Sequence, residues 1–198
     1  VTEPMANIRS LSVYCGARAG TNPLHRAAAR ELGRALAERG IELVFGGGRV
    51  GMMGIVADAC LAAGGRVVGI IPRLLVSAEV AHAQVTELLV VENMHERKRR
   101  MVERADAVAA LPGALGTLDE LMEMATWRQI GLHDLPIVLL DVEGYWQPLL
   151  RLVDHAIAEG YGTEVLRSYF TVARTVEEML AALADAPAPR FAFQERWA

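Results

Sequence analysis

Two regimes of hydrophobic patterning alternate along the chain. Short runs rich in Val, Ile and Leu occupy residues 11–15, 41–45, 67–71, 87–91, 105–111 and 136–141, with few polar interruptions. Near-continuous apolar runs of this length are what strands buried on both faces of a parallel sheet require. The longer segments between them carry apolar residues at helical spacing. In the first, Leu24, Ala28, Leu32, Ala35 and Leu36 fall on one helical face, Asn22-Pro23 marks the start and Gly40 the stop. Further helices are predicted at 52–63, 94–104, 118–129, 146–159 and 176–184. Six or seven strands alternating with helices predict an α/β fold, a doubly wound, Rossmann-like parallel sheet with helices on both faces.

A length of 198 residues suits one core. The expected division is an N-terminal extension at 1–9, a single domain at 10–184 and a C-terminal tail at 185–198. The tail leaves the domain as an extended Pro-Ala stretch, and for its Phe191, Phe193 and Trp197 two readings stand side by side: docking on the body or on a second subunit, or simple disorder.

Charge removes several function classes. The formal net charge is −4 and the isoelectric point about 5.8, so no global positive field favours nucleic acid or anionic lipid. Mean hydropathy is +0.24, yet no stretch approaches the roughly 20 apolar residues of a spanning helix. The first residues lack the basic and apolar regions of a secretory leader, which sets a cytoplasmic expectation. Two cysteines, Cys15 and Cys60, make neither a disulfide framework nor a four-thiolate zinc site, and reduced, apolar surroundings are expected for both. No HExxH spacing or other metal-ligating cluster occurs, and no GxSxG elbow.

Candidate chemistry lies in the loops after the strands, because ligands of open parallel sheets bind beyond the strands' carboxyl ends. Three such loops are glycine-rich: 15–20, 46–51 and 112–117. Gly46, Gly48 and Gly51 match a dinucleotide fingerprint in form, but the next strand ends Gly69-Ile70-Ile71-Pro72 without the acidic residue that would hold ribose hydroxyls. The match is weak, and tight turning and close helix packing are the simpler account of these glycines. In the third loop, the amides of Gly113, Gly116 and Thr117 at a helix start would suit a phosphate. With no Walker lysine motif, a monophosphate is the simpler ligand. Thr117 and Glu120 also fit a capping box, so Glu120 has two readings: a helix cap, or a carboxylate poised to meet a sugar attached to that phosphate. Upstream, Arg97, Lys98, Arg99 and Arg100 open a predicted helix. Such a run is ordinarily a solvated face, but Arg97 and Lys98 follow a strand at the same sheet edge and compete for a share in anion binding.

The segments FGGGRVGMMG (45–54), VVGIIP (67–72), MHERKRRM (94–101) and LPGALGTLDELMEMATWRQIGLHDLPI (111–137) together resemble the LONELY GUY (LOG) family of cytokinin-activating phosphoribohydrolases. The resemblance runs from about Ser10 to Leu183. The family's PGGxGTxxE signature is matched by residues 112–120, except that Ala114 stands at the second glycine. If that position needed a positive φ, the methyl would tilt the cradle; if not, it would be nearly silent. The resemblance implies Arg97 and Glu120 as catalytic residues. For nucleotide binding it implies Glu79, Lys98, Gly113, Ala114, Leu115, Gly116, Thr117 and Thr126, with the glycine loop Gly46, Gly47 and Gly48.

The implied reaction is hydrolysis of the N-glycosidic bond of an N6-modified adenosine 5′-monophosphate, with plain AMP left open, to a free base and ribose 5-phosphate. It implies no cofactor, no metal and a homodimer, for which Met122, Met124 and Trp127 on the predicted helix 118–129 are candidate contacts, with plain core the alternative. The competing expectation is a non-catalytic protein of the same fold that holds a phosphorylated ligand, as molybdenum-cofactor carriers do. Lysine decarboxylation is disfavoured, since the chain has no pyridoxal phosphate framework and a single lysine, Lys98.

Overall fold

The computed structural model describes residues 8–76 and 81–187. The expectations for Glu79 and for the tail's Phe191, Phe193 and Trp197 lie outside these residues. In chain order the elements are β1 (Ser10–Tyr14), α1 (Pro23–Glu38), β2 (Glu42–Phe45), α2 (Gly51–Ala62), β3 (Val67–Pro72), β4 (Glu87–Val91), α3 (Met94–Glu103), β5 (Ala107–Ala110), α4 (Leu115–Gln129), β6 (Ile137–Leu140), α5 (Gln147–Ala158), β7 (Thr171–Ala173) and α6 (Val176–Ala184).

The strands form one parallel sheet in the order β4-β3-β2-β1-β5-β6-β7. Strand order reverses between β1 and β5, so the crevice of a doubly wound sheet opens beyond their carboxyl ends. The two faces build two cores. Leu11, Val13, Leu43, Phe45 and Val67 meet α1, α2 and α6 on one side, while Tyr14, Val44, Val68, Ile70 and Val108 meet α3 and α4 on the other. Burying each such side chain contributes roughly 1.5–3 kcal/mol. α1 begins where Asn22 Oδ1 accepts the Leu24 amide at 2.9 Å with Pro23 at its first turn, and it can lie close on α2 because a Cβ on Gly33 would stand 2.3 Å from the Val56 carbonyl.

Three sequence expectations change. Leu24 belongs to the helical stripe but is 50% exposed, because it sits in the first turn, beyond the sheet. The short edge strand β7 lies outside the six apolar runs: three residues carry too little periodicity, and only pairing with β6 defines it. α4 starts three residues earlier than the apolar spacing predicted, with consequences for the site. Among the described residues no helix is long and apolar enough to cross a membrane.

Candidate active site

The carboxyl ends of β1 and β5 are tied together where the Gly16 amide donates to the Pro112 carbonyl at 3.1 Å. Around this joint lies a cleft of about 190 Å³ whose walls include Cys15, Met53, Met94, Arg97, Thr117 and Glu120.

Arg97 comes from the first turn of α3, a helix fixed by the Asn93 side chain accepting the Glu96 amide at 2.9 Å. Its guanidinium is 5% exposed. Nη2 lies 3.7 Å from Glu120 Oε1 and Nη1 donates to Met94 Sδ at 3.6 Å. Nε has no hydrogen-bond partner, so this buried cation keeps unused donor capacity. The guanidinium fits because Gly46 is a glycine: a Cβ there would stand 1.8 Å from Nη2. Gly47 and Gly48 act one step away. Gly47 turns the chain at φ +78 and accepts the His82 amide at 2.9 Å, while Gly48 bridges to Ala81.

α4 delivers the carboxylate. Its N-cap is Ala114 at φ −102 and ψ −149, with no side-chain cap. The first helical bond runs from the Leu118 amide to the Ala114 carbonyl, leaving the amides of Leu115, Gly116 and Thr117 without intrahelical acceptors at the positive end of the helix. A Cβ on Gly116 would meet nothing within 4 Å, whereas one on Gly113 would stand 2.0 Å from Thr117 Oγ1. Gly113 therefore lets Thr117 close onto the loop, and Gly116 leaves the amides accessible. Leu115 contributes only backbone here, its side chain being 82% exposed.

The capping-box reading of Thr117 and Glu120 fails, because Thr117 is already the third residue of α4 and Glu120 lies a turn further along. The Glu120 carboxylate, 7% exposed, faces Arg97 instead. The condition attached to Ala114 also resolves. Its φ is negative, so its methyl carries no left-handed strain.

The basic run does not act as a unit. Successive side chains on a helix point about 100° apart, and Arg97 alone of the four reaches the cleft. Lys98 is 7% exposed, with Nζ 3.1 Å from Asp119 Oδ2 and 2.6 Å from Glu123 Oε2. Burial works to lower the pKa of this ammonium, but its hydrogen bonds to Glu123 and Asp119 outweigh that and hold it above its ordinary value. Arg99 and Arg100 pair with Glu103 and Glu96 along their own helix. Thr126 is exposed, its hydroxyl donating to the Met122 carbonyl at 2.8 Å, and is not among the cleft residues.

The cleft's one sulfhydryl is chemically quiet. Burial first, then the neighbouring Glu120, pushes the Cys15 thiol far up, so it stays protonated and is no nucleophile. Among the described residues no group of three or more His, Cys, Asp or Glu is placed to hold a metal. Sequence reasoning passed over Met53, Met94 and Tyr145. The two methionines read as ordinary helical apolar residues, and Tyr145 carries no local signal, since it reaches the cradle loop only through the fold.

A parallel sheet whose switch point gathers a helix N-terminus with amides lacking intrahelical acceptors, a buried guanidinium and a buried carboxylate defines a Rossmann-like protein with paired opposite charges at a helix start. Comparison with known proteins narrows that class. Residues 53–183 match the family model described as "Possible lysine decarboxylase". The chain is 45% identical over 91% of its length to the probable cytokinin riboside 5′-monophosphate phosphoribohydrolase LOGL1 of Oryza sativa subsp. japonica, covering 81% of that protein. It is 44% identical over 88% of its length to the cytokinin riboside 5′-monophosphate phosphoribohydrolase of Rhodococcoides fascians, covering 89% of that protein. The chain belongs to the LOG family. Among solved structures it is similar to the molybdenum cofactor carrier protein of Chlamydomonas reinhardtii, with a TM-score of 0.67, 22% identity and coverage of 92% and 96% of the two chains. At that identity the likeness is one of fold.

Proposed function

We propose that this chain is a hydrolase that cleaves the N-glycosidic bond of N6-modified adenosine 5′-monophosphates, releasing the free base and ribose 5-phosphate. The observation that carries the reading is the buried pair Arg97 and Glu120, 3.7 Å apart, beside the uncapped N-terminus of α4. The amides of Leu115, Gly116 and Thr117 hold the 5′-phosphate, and this remote binding energy positions the sugar. As the base departs, positive charge develops on the ribose. The Glu120 carboxylate stabilises that charge and takes a proton from the water that adds to the sugar; that proton ends on the departing base, which leaves neutral, and the carboxylate is regenerated. Arg97 lines the same cleft beside the Glu120 carboxylate, where its positive charge attracts the bound anion. Decarboxylase chemistry is poorly served, because the sole lysine is paired with two carboxylates and held protonated.

The test is incubation of the purified protein with N6-isopentenyl-AMP and with AMP, and chromatography of the products. Release of free base is expected from the first, and no release from either substrate overturns the reading. Glu120→Gln and Arg97→Ala are each expected to abolish release while the circular dichroism spectrum stays that of the parent; wild-type rates in both refute the assigned roles. The carrier alternative loses the one feature that favoured it, since Ala114 occupies a conformation that needs no glycine. The proposal places the function in a cytoplasmic, single-domain protein spanning 10–184 that pairs as a homodimer. Met124 and Trp127 are core, 1% and 8% exposed, and so cannot form the contact. The exposed apolar side chains Leu152 on α5 and Val165 in the 3₁₀ segment Glu164–Tyr169 are better suited.

A further inference from the structure

Tyr145 stands outside the cleft that holds Arg97 and Glu120, yet it touches the loop on which the anion cradle is built. Two consecutive residues in the left-handed region, Glu143 at φ 56 and Gly144 at φ 72, fold the chain back after β6. The next residues are then locked onto the strand ends. The Trp146 amide donates to Asp141 Oδ1 at 2.6 Å, its indole N–H donates to the Ala110 carbonyl at 3.2 Å, and Gln147 Nε2 donates to Asp141 Oδ2 at 2.5 Å. Trp146 is 1% exposed and Asp141 3% exposed, so the anchor is buried.

This anchor projects the Tyr145 ring over the end of β5. The ring meets Trp146 edge to face at 5.1 Å and His25 of α1 at 5.4 Å. Its hydroxyl donates to the carbonyl of Gly113. On the opposite side, the preceding carbonyl, that of Pro112, accepts from the Gly16 amide. Two successive carbonyls of the turn are thus held by two different elements. Because a peptide unit is planar, fixing the Gly113 carbonyl also fixes the direction of the Ala114 N–H, the last unit before the free amides of α4.

We propose that Tyr145 is a positioning residue for phosphate binding: its hydroxyl sets the Pro112–Ala114 turn and so aims the amides of Leu115, Gly116 and Thr117. The ring is held by its aromatic neighbours whether or not the hydroxyl is present, and it is 38% exposed, so loss of one oxygen leaves the packing intact. The effect falls on the cradle, where a glycine, Gly113, offers the loop other conformations once the hydrogen bond is gone.

The inference takes the phosphate cradle from the proposed function but not the hydrolysis, and the experiment separates the two. Tyr145→Phe and the parent are compared by calorimetric titration with inorganic phosphate and with ribose 5-phosphate, by thermal melting, and by KM and kcat for N6-isopentenyl-AMP. The expected result is a roughly three- to tenfold weaker Kd for both phosphates and a matching rise in KM, with kcat and melting temperature unchanged. Unchanged Kd and KM overturn the inference, as does a fall in kcat at constant KM, which would make the phenol part of the chemistry. A parent protein that binds phosphate but releases no base defeats the hydrolase reading alone, and weaker phosphate binding by the variant still upholds Tyr145. A parent that binds neither phosphate overturns the inference, whatever its release of base.

Discussion

Gly46 matters for what occupies the space beside it. A Cβ there would coincide with the Arg97 guanidinium, the mobile end of a long side chain. The fold can absorb a methyl by moving that group, and the site cannot. Gly46→Ala is therefore expected to melt near the parent temperature while kcat/KM for base release falls by about a hundredfold, the scale on which a displaced catalytic group acts. A variant with parental kinetics would show that the position of Arg97 is not critical. Ala114 gives the opposite expectation. With φ at −102 the methyl is unstrained, so restoring glycine at this position frees the unfolded chain without improving the site. Ala114→Gly is expected to leave kcat/KM within twofold and to lower stability by about 0.5 kcal/mol in urea titration. A clear gain in activity would contradict the geometry.

At the scale of elements, α4 links the site to the rest of the fold. Its N-terminus carries the free amides, its first half carries Glu120, and its second half is tied through His133 to the segment that leads into β6. That imidazole, 2% exposed, donates from Nε2 to the Met124 carbonyl at 2.8 Å and accepts the Leu135 amide at Nδ1 at 3.1 Å, an arrangement that requires the neutral ring. Burial, chiefly, pushes its pKa down to about 4 from an ordinary 6.5. The unfolded chain binds this proton more readily, so stability is full above pH 6.5, declines as pH falls from 6.5 toward 4, and levels off below. The loss is on the order of 3 kcal/mol. Denaturant titrations at pH 7 and pH 4.5 should reveal it, and His133→Asn should flatten that part of the profile. An unchanged slope in the variant would assign the acid sensitivity elsewhere.

For the molecule as a whole, charge is sorted to opposite ends of the sheet. At the amino ends, Glu42 and Glu87 are bridged by Arg66 and Arg104 in a four-membered network, with Arg66 Nε 2.5 Å from Glu42 Oε2 and Arg104 Nη2 2.8 Å from Glu87 Oε2. At the carboxyl ends the Arg97–Glu120 pair faces the cleft. The four-residue network cross-links strands, and the Arg97–Glu120 pair is the one the proposed function uses. The lateral surface distinguishes the assembly states. α5 has no buried residue, and Leu152 and Val165 are 61% and 54% exposed. Light scattering on the eluting protein is expected to give twice the chain mass, and Leu152→Glu is expected to return it to one; a parent that elutes as a monomer at micromolar concentration overturns the dimer.

Local patterning alone settled a good part of this protein. Runs of Val, Ile and Leu too uniform to have a solvent side specified a parallel sheet, and the Asn22-Pro23 start and Gly40 stop bounded α1. Loop composition singled out Gly113, Gly116 and Thr117, with Arg97 and Lys98, as candidates, because few residue types expose backbone amides or bring a charge to a strand end. Tertiary structure decided how those groups are used. The same spacing let Glu120 cap a helix or face a sugar, and only the earlier start of α4 turned it toward Arg97. Arg97 and Lys98 were equal candidates for the anion until helical rotation sent the first to the cleft and the second to Asp119 and Glu123. Tyr145, 32 residues from the carbonyl it holds, had no sequence signal at all. Patterns read over neighbouring residues encode propensity and burial, whereas the pairing of groups distant in sequence exists only once the sheet has set the strand ends side by side.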